Sequence, residues 1–231
     1  IGIKPSELNL VTEFCGGGFG GKAYSYPLMA LPALMSKKLN GRPVMMRISR
    51  AEEFYNGSAR AGFQGWVKIG FSEKGRVLAL DSYVVQDNGS TGGFWDFQNF
   101  GTAASVVLQP EAMRFRGIPV LTNTPPKGAQ RGPGENQTAN ILEPMLDKGA
   151  RELGMDRLAV RLANTPGGGQ GGKVGPKRAP LTSAYLREGL EQAAKKFGYA
   201  DRVKKAGKQA NGKIRAVGIG QAYHAAGYNG W

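Results

Sequence analysis

The sequence predicts an α+β fold, in which mixed sheets pack against helices. Apolar residues alternate over Gly62–Phe71 and Val77–Gln86, the pattern of two strands with one buried face, and Ser72–Gly75 supplies a hairpin turn between them. Gln137–Leu153 carries its apolar residues at helical spacing instead. The hydrophobic fraction of 41 % and the charged fraction of 21 % are those of an ordinary globular protein.

For the N-terminal part, the sequence predicts a glycine-rich loop that lies between short helices and strands. The elements expected there are a strand at Leu8–Phe14, a glycine loop at Gly16–Lys22, a helix at Ser25–Leu39, a strand at Pro43–Arg50 and a helical turn at Ala51–Tyr55. Pro27 fits the first turn of the helix, whereas Pro32 predicts a kink or an early break.

The rest of the chain is dominated by helical patterns. After the hairpin we expect a polar turn at Asp87–Gly93, a helix at Trp95–Leu108 and a strand at Met113–Leu121. The helix at Gln137–Leu153, which Pro144 interrupts, is followed by a helix at Asp156–Asn164 with Asp156 as its N-cap. The last elements are a loop at Thr165–Pro180, a helix at Ser183–Phe197 capped by Thr182 or Ser183, and a strand-like run at Ile214–Ala222. Because the composition changes near Glu135, the sequence predicts two regions, residues 1–134 and 135–231.

The net charge of +14 predicts either an anionic partner or a solvated basic surface. The segment Lys195–Lys213 holds a cluster of lysines, so a basic module that binds anions or nucleic acid is one alternative function. One cysteine, Cys15, and one histidine, His224, are too few for a disulfide, a cysteine metal site or a zinc site. Any metal must therefore arrive bound to another group, such as an organic cofactor.

Targeting signals are absent from the sequence pattern. No apolar run approaches the roughly 20 residues needed to span a bilayer. The first ten residues lack the basic and apolar regions of a signal peptide, so we expect a cytoplasmic protein, with the periplasm as the alternative. The chain starts at Ile1 and stops at Trp231 just after a strand-like run, which predicts a fragment or one chain of a split subunit.

The glycine loop Gly16–Lys22 predicts an anion site. Glycine allows positive φ and close approach to a ligand, and successive free N–H groups favour an anion. The spacing fits a phosphate-binding P-loop, but Ala23 stands where that motif needs serine or threonine, which leaves a degenerate P-loop as a second alternative. A dinucleotide fingerprint also fits the glycines, but the first acid after the loop is Glu52, too far for a ribose contact.

Two segments together resemble those of one enzyme family. Cys15–Lys22 is similar to the first molybdopterin-contacting segment of the xanthine dehydrogenase and aldehyde oxidase family. Gly128–Gln137 is similar to the second, an Arg-Gly-aromatic-Gly core that closes on glutamine. The resemblance extends from about Leu8 to Gln221.

The resemblance implies a molybdenum hydroxylase subunit. Residues 1–134 would form the first molybdopterin-binding region, and residues 135–231 a helical region that leads into a further domain. The cofactor would be molybdenum–molybdopterin, including its dinucleotide form, with [2Fe-2S] and FAD or another acceptor on partner chains. Expected partners are the rest of the molybdenum subunit, an iron–sulfur subunit, a flavin subunit and a small aldehyde or heteroaromatic substrate; nucleic acid and membrane are not expected.

The resemblance also assigns residues. It places the cofactor contacts at Gly18, Phe19, Gly20, Gly21, Ala129, Arg131, Gly132 and Gln137. The backbones of Phe19 and Arg131 would lie near the molybdenum. The simpler alternatives are a core aromatic for Phe19, a surface ion pair for Arg131 and a helix N-terminal residue for Gln137.

Two departures from the family pattern concern the substrate. Pro133 stands where the family often has phenylalanine, and Ala23 stands where purine-hydroxylating members have glutamate, so we do not expect a purine. The family's general base lies in a Gly-Glu-Gly segment that this sequence lacks. No catalytic residue is therefore assigned, Glu135 included, and we expect the chain to be inactive alone.

Overall fold

The computed structural model describes residues 2–22, 27–91, 93–169, 181, 183–222 and 224. Short 3-10 helices lie at Pro5–Glu7 and Pro27–Ala30. The helices are α1 (Leu31–Lys38), α2 (Arg50–Asn56), α3 (Asp96–Leu108), α4 (Glu135–Glu152), α5 (Arg157–Asn164), α6 (Leu186–Phe197) and α7 (Tyr199–Lys204). The strands are β1 (Phe63–Phe71), β2 (Val77–Asp87), β3 (Ala112–Val120), β4 (Gly207–Lys208) and β5 (Ile214–Arg215). The α+β class is thereby confirmed.

The predicted hairpin forms two strands of a three-stranded sheet, and its second strand, β2, is the central one. The strand order is β1-β2-β3, and β1 pairs with β2 in antiparallel register, with Trp66 opposite Tyr83. Gly75 closes the turn with a φ of 75°, a backbone conformation that favours glycine. Alternate residues of β2 are buried, as the period-2 pattern predicted.

The buried face of this sheet packs against helices. Leu80 and Val84 of β2 share one core with Phe100 of α3 and with Leu142 and Leu146 of α4. The apolar positions of α4 that the sequence placed at helical spacing supply part of this core. The helices expected at Trp95–Leu108 and Gln137–Leu153 are both present, as α3 and α4. Pro144 lies inside α4.

The N-terminal end of α5 was also predicted correctly. Asp156 is its N-cap, and its Oδ1 accepts hydrogen bonds from Leu158 N at 2.8 Å and Ala159 N at 3.2 Å. These bonds satisfy amides that the first turn of a helix leaves unpaired.

Several sequence predictions were wrong. The described residues of Leu8–Phe14 and Pro43–Arg50 form no strand, because no neighbouring strand pairs with them, and α2 already starts at Arg50. Helix α6 starts at Leu186, three residues later than expected, and has no side-chain cap. The run at Ile214–Ala222 contributes only the two residues of β5.

The proline predictions of the N-terminal part were partly right. Pro27 opens a 3-10 helix, while Pro32 occupies the first turn of α1, where proline costs no hydrogen bond, so the break falls before Pro32. Ser25 and most of the loop at Thr165–Pro180 lie outside the described residues. No helix among the described residues has both the length and the apolarity that crossing a bilayer requires.

The chain divides into two compact units. The first comprises residues 1–61, 87–94 and 120–131; the second comprises residues 62–86, 95–119 and 132–231. Most of the three-stranded sheet, together with helices α3 and α4, therefore belongs to the second unit. The expected division of the chain into two domains between residues 134 and 135 stays a prediction.

Candidate functional site

The glycine loop of the first unit folds into a tight turn. Gly21 N donates to Gly18 O at 3.0 Å, and both residues between them have positive φ, 54° at Phe19 and 98° at Gly20. A positive φ is uncommon outside glycine, so the turn holds Phe19 in a strained conformation. Phe19 is 60 % exposed, so among the described residues it is not part of an apolar core.

The start of the second segment closes on this turn within the same unit. Arg131 N donates to Phe19 O at 2.5 Å, and the Arg131 guanidinium lies 5.1 Å from the centre of the Phe19 ring. A Cβ added at Gly20 would lie 3.0 Å from the carbonyl oxygen of Ala129. The structure therefore brings Phe19 and Gly20 together with Ala129 and Arg131, which lie more than a hundred residues away in the chain.

Gly21, beside Gly20, also lies against the second segment. A Cβ added at Gly21 would lie 2.7 Å from Gln130 Nε2, whereas Gly18 has open space out to Lys22 Cβ at 3.7 Å. The two predicted segments thus contact each other through backbone at Gly20 and through a side chain at Gly21.

A third segment, Ser58–Arg60, supports this pair and was missed by the sequence reasoning. Arg60 Nη2 donates to Arg131 O at 2.8 Å, and Gln130 Nε2 donates to Ser58 O at 3.2 Å. Gly128 N donates to Ala59 O at 3.1 Å. Because these contacts join residues about seventy positions apart, no local motif could have indicated them.

A carboxylate fixes the chain that leads into the second segment. Asp87 accepts hydrogen bonds from Thr122 Oγ1, Thr124 Oγ1 and Gly89 N, and its Oδ2 lies 3.3 Å from Lys127 Nζ. Burial alone would raise the pKa of Asp87, but these four donors outweigh it and lower the pKa to about 2. The carboxylate is therefore ionised at neutral pH and ties residues 122–127 to the end of β2.

The remaining predicted residues of the second segment belong to the second unit. Gly134 has a φ of 74°, and a Cβ there would lie 2.0 Å from Asp96 O, so only glycine fits. Asn99 Nδ2 donates to Pro133 O at 2.9 Å, and Gln137 Nε2 donates to Asp96 Oδ2 at 3.3 Å. Helix α3 thus holds Pro133 and the first turn of α4, where Gln137 is buried.

A pocket of about 770 Å³ lies beside the glycine loop in the first unit. Gly18, Gly21 and Lys22 line it together with Gln130 of the second segment. The rest of its wall is mainly apolar and includes Leu28, Met29, Pro32, Met46, Ile48 and Phe54. Ala23, the second residue predicted to border the substrate, lies outside the described residues.

Direct metal ligands are lacking in the described part of the chain. It contains no cluster of three or more histidine, cysteine or carboxylate side chains that could hold an ion. The one cysteine, Cys15, is exposed beside the glycine loop. The site consequently offers backbone and apolar surface, which suits a bulky organic group better than a bare cation.

Comparison with known proteins agrees with this geometry. Residues 1–165 match the molybdopterin cofactor-binding domain family. The chain is 30 % identical over 223 residues to the xanthine dehydrogenase molybdenum-binding subunit of Escherichia coli O157:H7, an alignment that covers 95 % of this chain. It is also 30 % identical, over 71 % of its length, to an indole-3-acetaldehyde oxidase of Arabidopsis thaliana. The chain belongs to the molybdopterin cofactor-binding domain family.

Solved structures give the same result for the fold. Quinoline 2-oxidoreductase from Pseudomonas putida 86 is similar with a TM-score of 0.68 and 25 % identity over 82 % of this chain. The aldehyde oxidoreductase of Desulfovibrio gigas is similar in fold, with a TM-score of 0.65 over 83 % of this chain. This chain spans 29 % of the E. coli subunit and 25 % of the quinoline enzyme. The alternatives of a nucleic-acid module and a P-loop domain find no support in these comparisons.

Proposed function

We propose that this chain holds molybdenum–molybdopterin within a hydroxylase that oxidises an aldehyde or heteroaromatic C–H group with water as the source of oxygen. The bound group supplies the redox chemistry, and the protein supplies binding and orientation. Electrons would leave through iron–sulfur and flavin partners. The names of the similar proteins, which include a xanthine dehydrogenase subunit and aldehyde oxidases, support a hydroxylase of this type.

The observation that carries the proposal is the backbone contact between the two segments. The amides of Phe19 and Gly20 belong to a turn closed by the bond from Gly21 N to Gly18 O, and neither amide donates a hydrogen bond within the described part of the chain. Such preoriented amides can donate to an oxo or phosphate oxygen without adding a titratable group. Since a Cβ at Gly20 would meet the carbonyl oxygen of Ala129, glycine at this position keeps the two segments in backbone contact.

Residue roles follow from this arrangement. Phe19 and Gly20 would face the cofactor through their amides, and Arg131 would hold the turn of Phe19 through its own amide and guanidinium. Pro133 cannot stack on an aromatic ring as phenylalanine does, so we favour an aldehyde or a small heteroaromatic substrate over a purine. We further propose that the other parts of the enzyme supply the general base and that the protein works in the cytoplasm.

Metal and pterin analysis of the natively purified protein tests the proposal. We expect about one molybdenum and one pterin per chain, measured by elemental analysis and pterin fluorescence. Gly20→Ala should lower both contents at least about tenfold, because a Cβ meets Ala129 O and the φ of 98° strains any other residue.

Gly16→Ala is the matched control. A Cβ at Gly16 meets nothing within 4 Å, and this residue is not among the predicted contacts, so the cofactor content should stay unchanged. Absence of both molybdenum and pterin from the parent protein would contradict the proposal, as would equal contents in the two variants.

A further inference from the structure

The C-terminal strap, residues 217–224 without the undescribed residue 223, runs along helices of the second unit. Arg157 Nη1 donates to Val217 O at 3.2 Å. Further along, the amide of Gln221 donates to the carboxylate of Glu143 in α4. At the end, His224 Nδ1 lies 2.6 Å from Glu135 Oε2.

These contacts proceed in order toward the N-terminal end of α4. Glu143 and Glu135 are eight residues apart, about 12 Å along a helix that rises ~1.5 Å per residue. Gln221 and His224 are three residues apart, which spans at most about 10–11 Å of extended chain. The two contacts on α4 therefore follow the same order along the strap and along the helix, and the second contact places His224 at the start of α4.

His224 meets a carboxylate that is already constrained. Glu135 is the first residue of α4, where the helix dipole favours negative charge, and only 11 % of its side chain is exposed. The 2.6 Å between His224 Nδ1 and Glu135 Oε2 is a short hydrogen-bond distance, so the ring and the carboxylate are in direct polar contact.

The same carboxylate reaches the second segment. Glu135 Oε2 lies 3.8 Å from the position that a Cβ would take at Gly132, and Gly132 has a φ of 73°. The Glu135 carboxylate therefore lies close to both His224 and Gly132. Asn136 N, next to Glu135 in α4, donates to Gly132 O at 3.0 Å, so a displacement of Glu135 would loosen this side of the Gly132–Gly134 turn, while the contacts with α3 hold the other side.

We propose that His224 is a positioning residue, which acts through Glu135 to fix the second segment, Gly132–Gly134, for the cofactor. The inference rests on the proposed function for what the segment binds, but the contact itself belongs to this chain. It also gives a role to the C-terminal strap, whose contacts with α4 and α5 prevent His224 from leaving Glu135.

Hydrogen exchange of the full chain, read by mass spectrometry, tests the proposal. In His224→Ala we expect the amides of residues 132–138 to exchange about tenfold faster, because their local opening loses one restraint. Molybdenum and pterin contents should fall in parallel. His224→Gln should restore most of the protection, since its side-chain amide can still donate to Glu135.

A double-mutant cycle and a matched control sharpen the result. Adding Glu135→Gln to His224→Ala should cause little further change, because the two side chains act as a pair. Tyr199→Phe removes another side-chain contact to a carboxylate, Tyr199 Oη to Asp156 Oδ2 at 3.1 Å, without touching the segment, and should leave residues 132–138 protected.

Two outcomes would overturn the proposal. One is unchanged exchange of residues 132–138 in His224→Ala; the other is an increase spread equally over α4 and α5, which a general loss of stability would produce. A parent protein without molybdenum would contradict the proposed function, whereas the exchange measurement would still decide the role of His224.

Discussion

Single residues act in this site mainly through their backbones. Phe19 contributes its carbonyl to Arg131 N, and Gly20 contributes the space that a side chain would occupy. The Arg131 guanidinium lies over the Phe19 ring, 5.1 Å from its centre. Within the described ranges it forms no ion pair, the simpler role that the sequence left open for it.

The lowered pKa of Asp87 predicts that the free energy of unfolding depends on pH in the acidic range. Its lowered pKa means that its contribution is complete above the ordinary aspartate pKa of about 4 and is lost as the pH falls toward 2. Asp87→Asn should lower the free energy of unfolding by roughly 1–2 kcal/mol at pH 7, after allowance for its partial exposure. Urea unfolding at pH 7 and near pH 2 measures this.

The control for this change is Asp201→Asn on the exposed helix α7. Its effect should be close to zero at both pH values. A deficit of Asp87→Asn that persisted unchanged near pH 2 would mean that packing, and not the charge of Asp87, stabilises residues 122–127.

Helices α4 and α5 are joined by a buried arginine. Arg161 has no exposed side-chain surface, and it pairs with Glu143 at 2.8 Å and Asp147 at 2.8 Å. Burial raises the pKa of Glu143 despite the opposing effect of Arg161. Glu143 also accepts a hydrogen bond from the backbone amide of Gln221 in the C-terminal strap. The Arg161 cluster therefore links helices α4 and α5 to the strap that carries His224.

Arg161→Met should lower the free energy of unfolding by about 3–5 kcal/mol, because it leaves the largely buried carboxylate of Glu143 without its partner. Thermal or urea unfolding at pH 7 measures this. Adding Glu143→Gln should recover part of the loss by removing the uncompensated charge. Arg50→Ala, which breaks the exposed pair with Glu53, should cost less than about 1 kcal/mol.

Recovery by Glu143→Gln distinguishes charge from volume. If the double variant were as unstable as Arg161→Met alone, the loss would come from a packing defect at the α4–α5 contact. The prediction about the buried charge would then be wrong.

The molecule as a whole exposes much apolar surface on its first unit. Among the described residues of this unit, Ala61 is the one buried apolar side chain, while Leu10, Phe14 and Met45 are 81 %, 97 % and 92 % exposed. Exposed apolar surface of this extent is characteristic of protein interfaces. It agrees with the proposal that other parts of the enzyme act together with this chain.

The double variant Phe14→Ser with Met45→Ser should therefore reduce self-association of the 231-residue chain. Sedimentation at increasing concentration and the fluorescence of a hydrophobic dye measure the change. Ile214→Ser is the control, since Ile214 is 80 % exposed on the second unit and should not change either reading. Equal effects of both changes would show that general polarity, not this surface, governs association.

The elements that the sequence predicted well are those with a local cause. The hairpin of β1 and β2 follows from its alternation and turn, and α4 and α5 follow from helical spacing and the Asp156 cap. The strands expected at Leu8–Phe14 and Pro43–Arg50 have suitable residues, but no strand in the described part of the chain pairs with them. A strand exists only where a second strand completes its hydrogen bonds, so alternation alone could not decide these cases.

By itself, the sequence determined the identity of both segments, because glycines at fixed spacing and an Arg-Gly core are properties of consecutive residues. Only the tertiary structure decided that Phe19 O accepts from Arg131 N, that Arg60 supports Arg131, and that His224 reaches Glu135. Each of these contacts joins residues about seventy or more positions apart. Their geometry depends on how the intervening chain packs, which no short motif encodes.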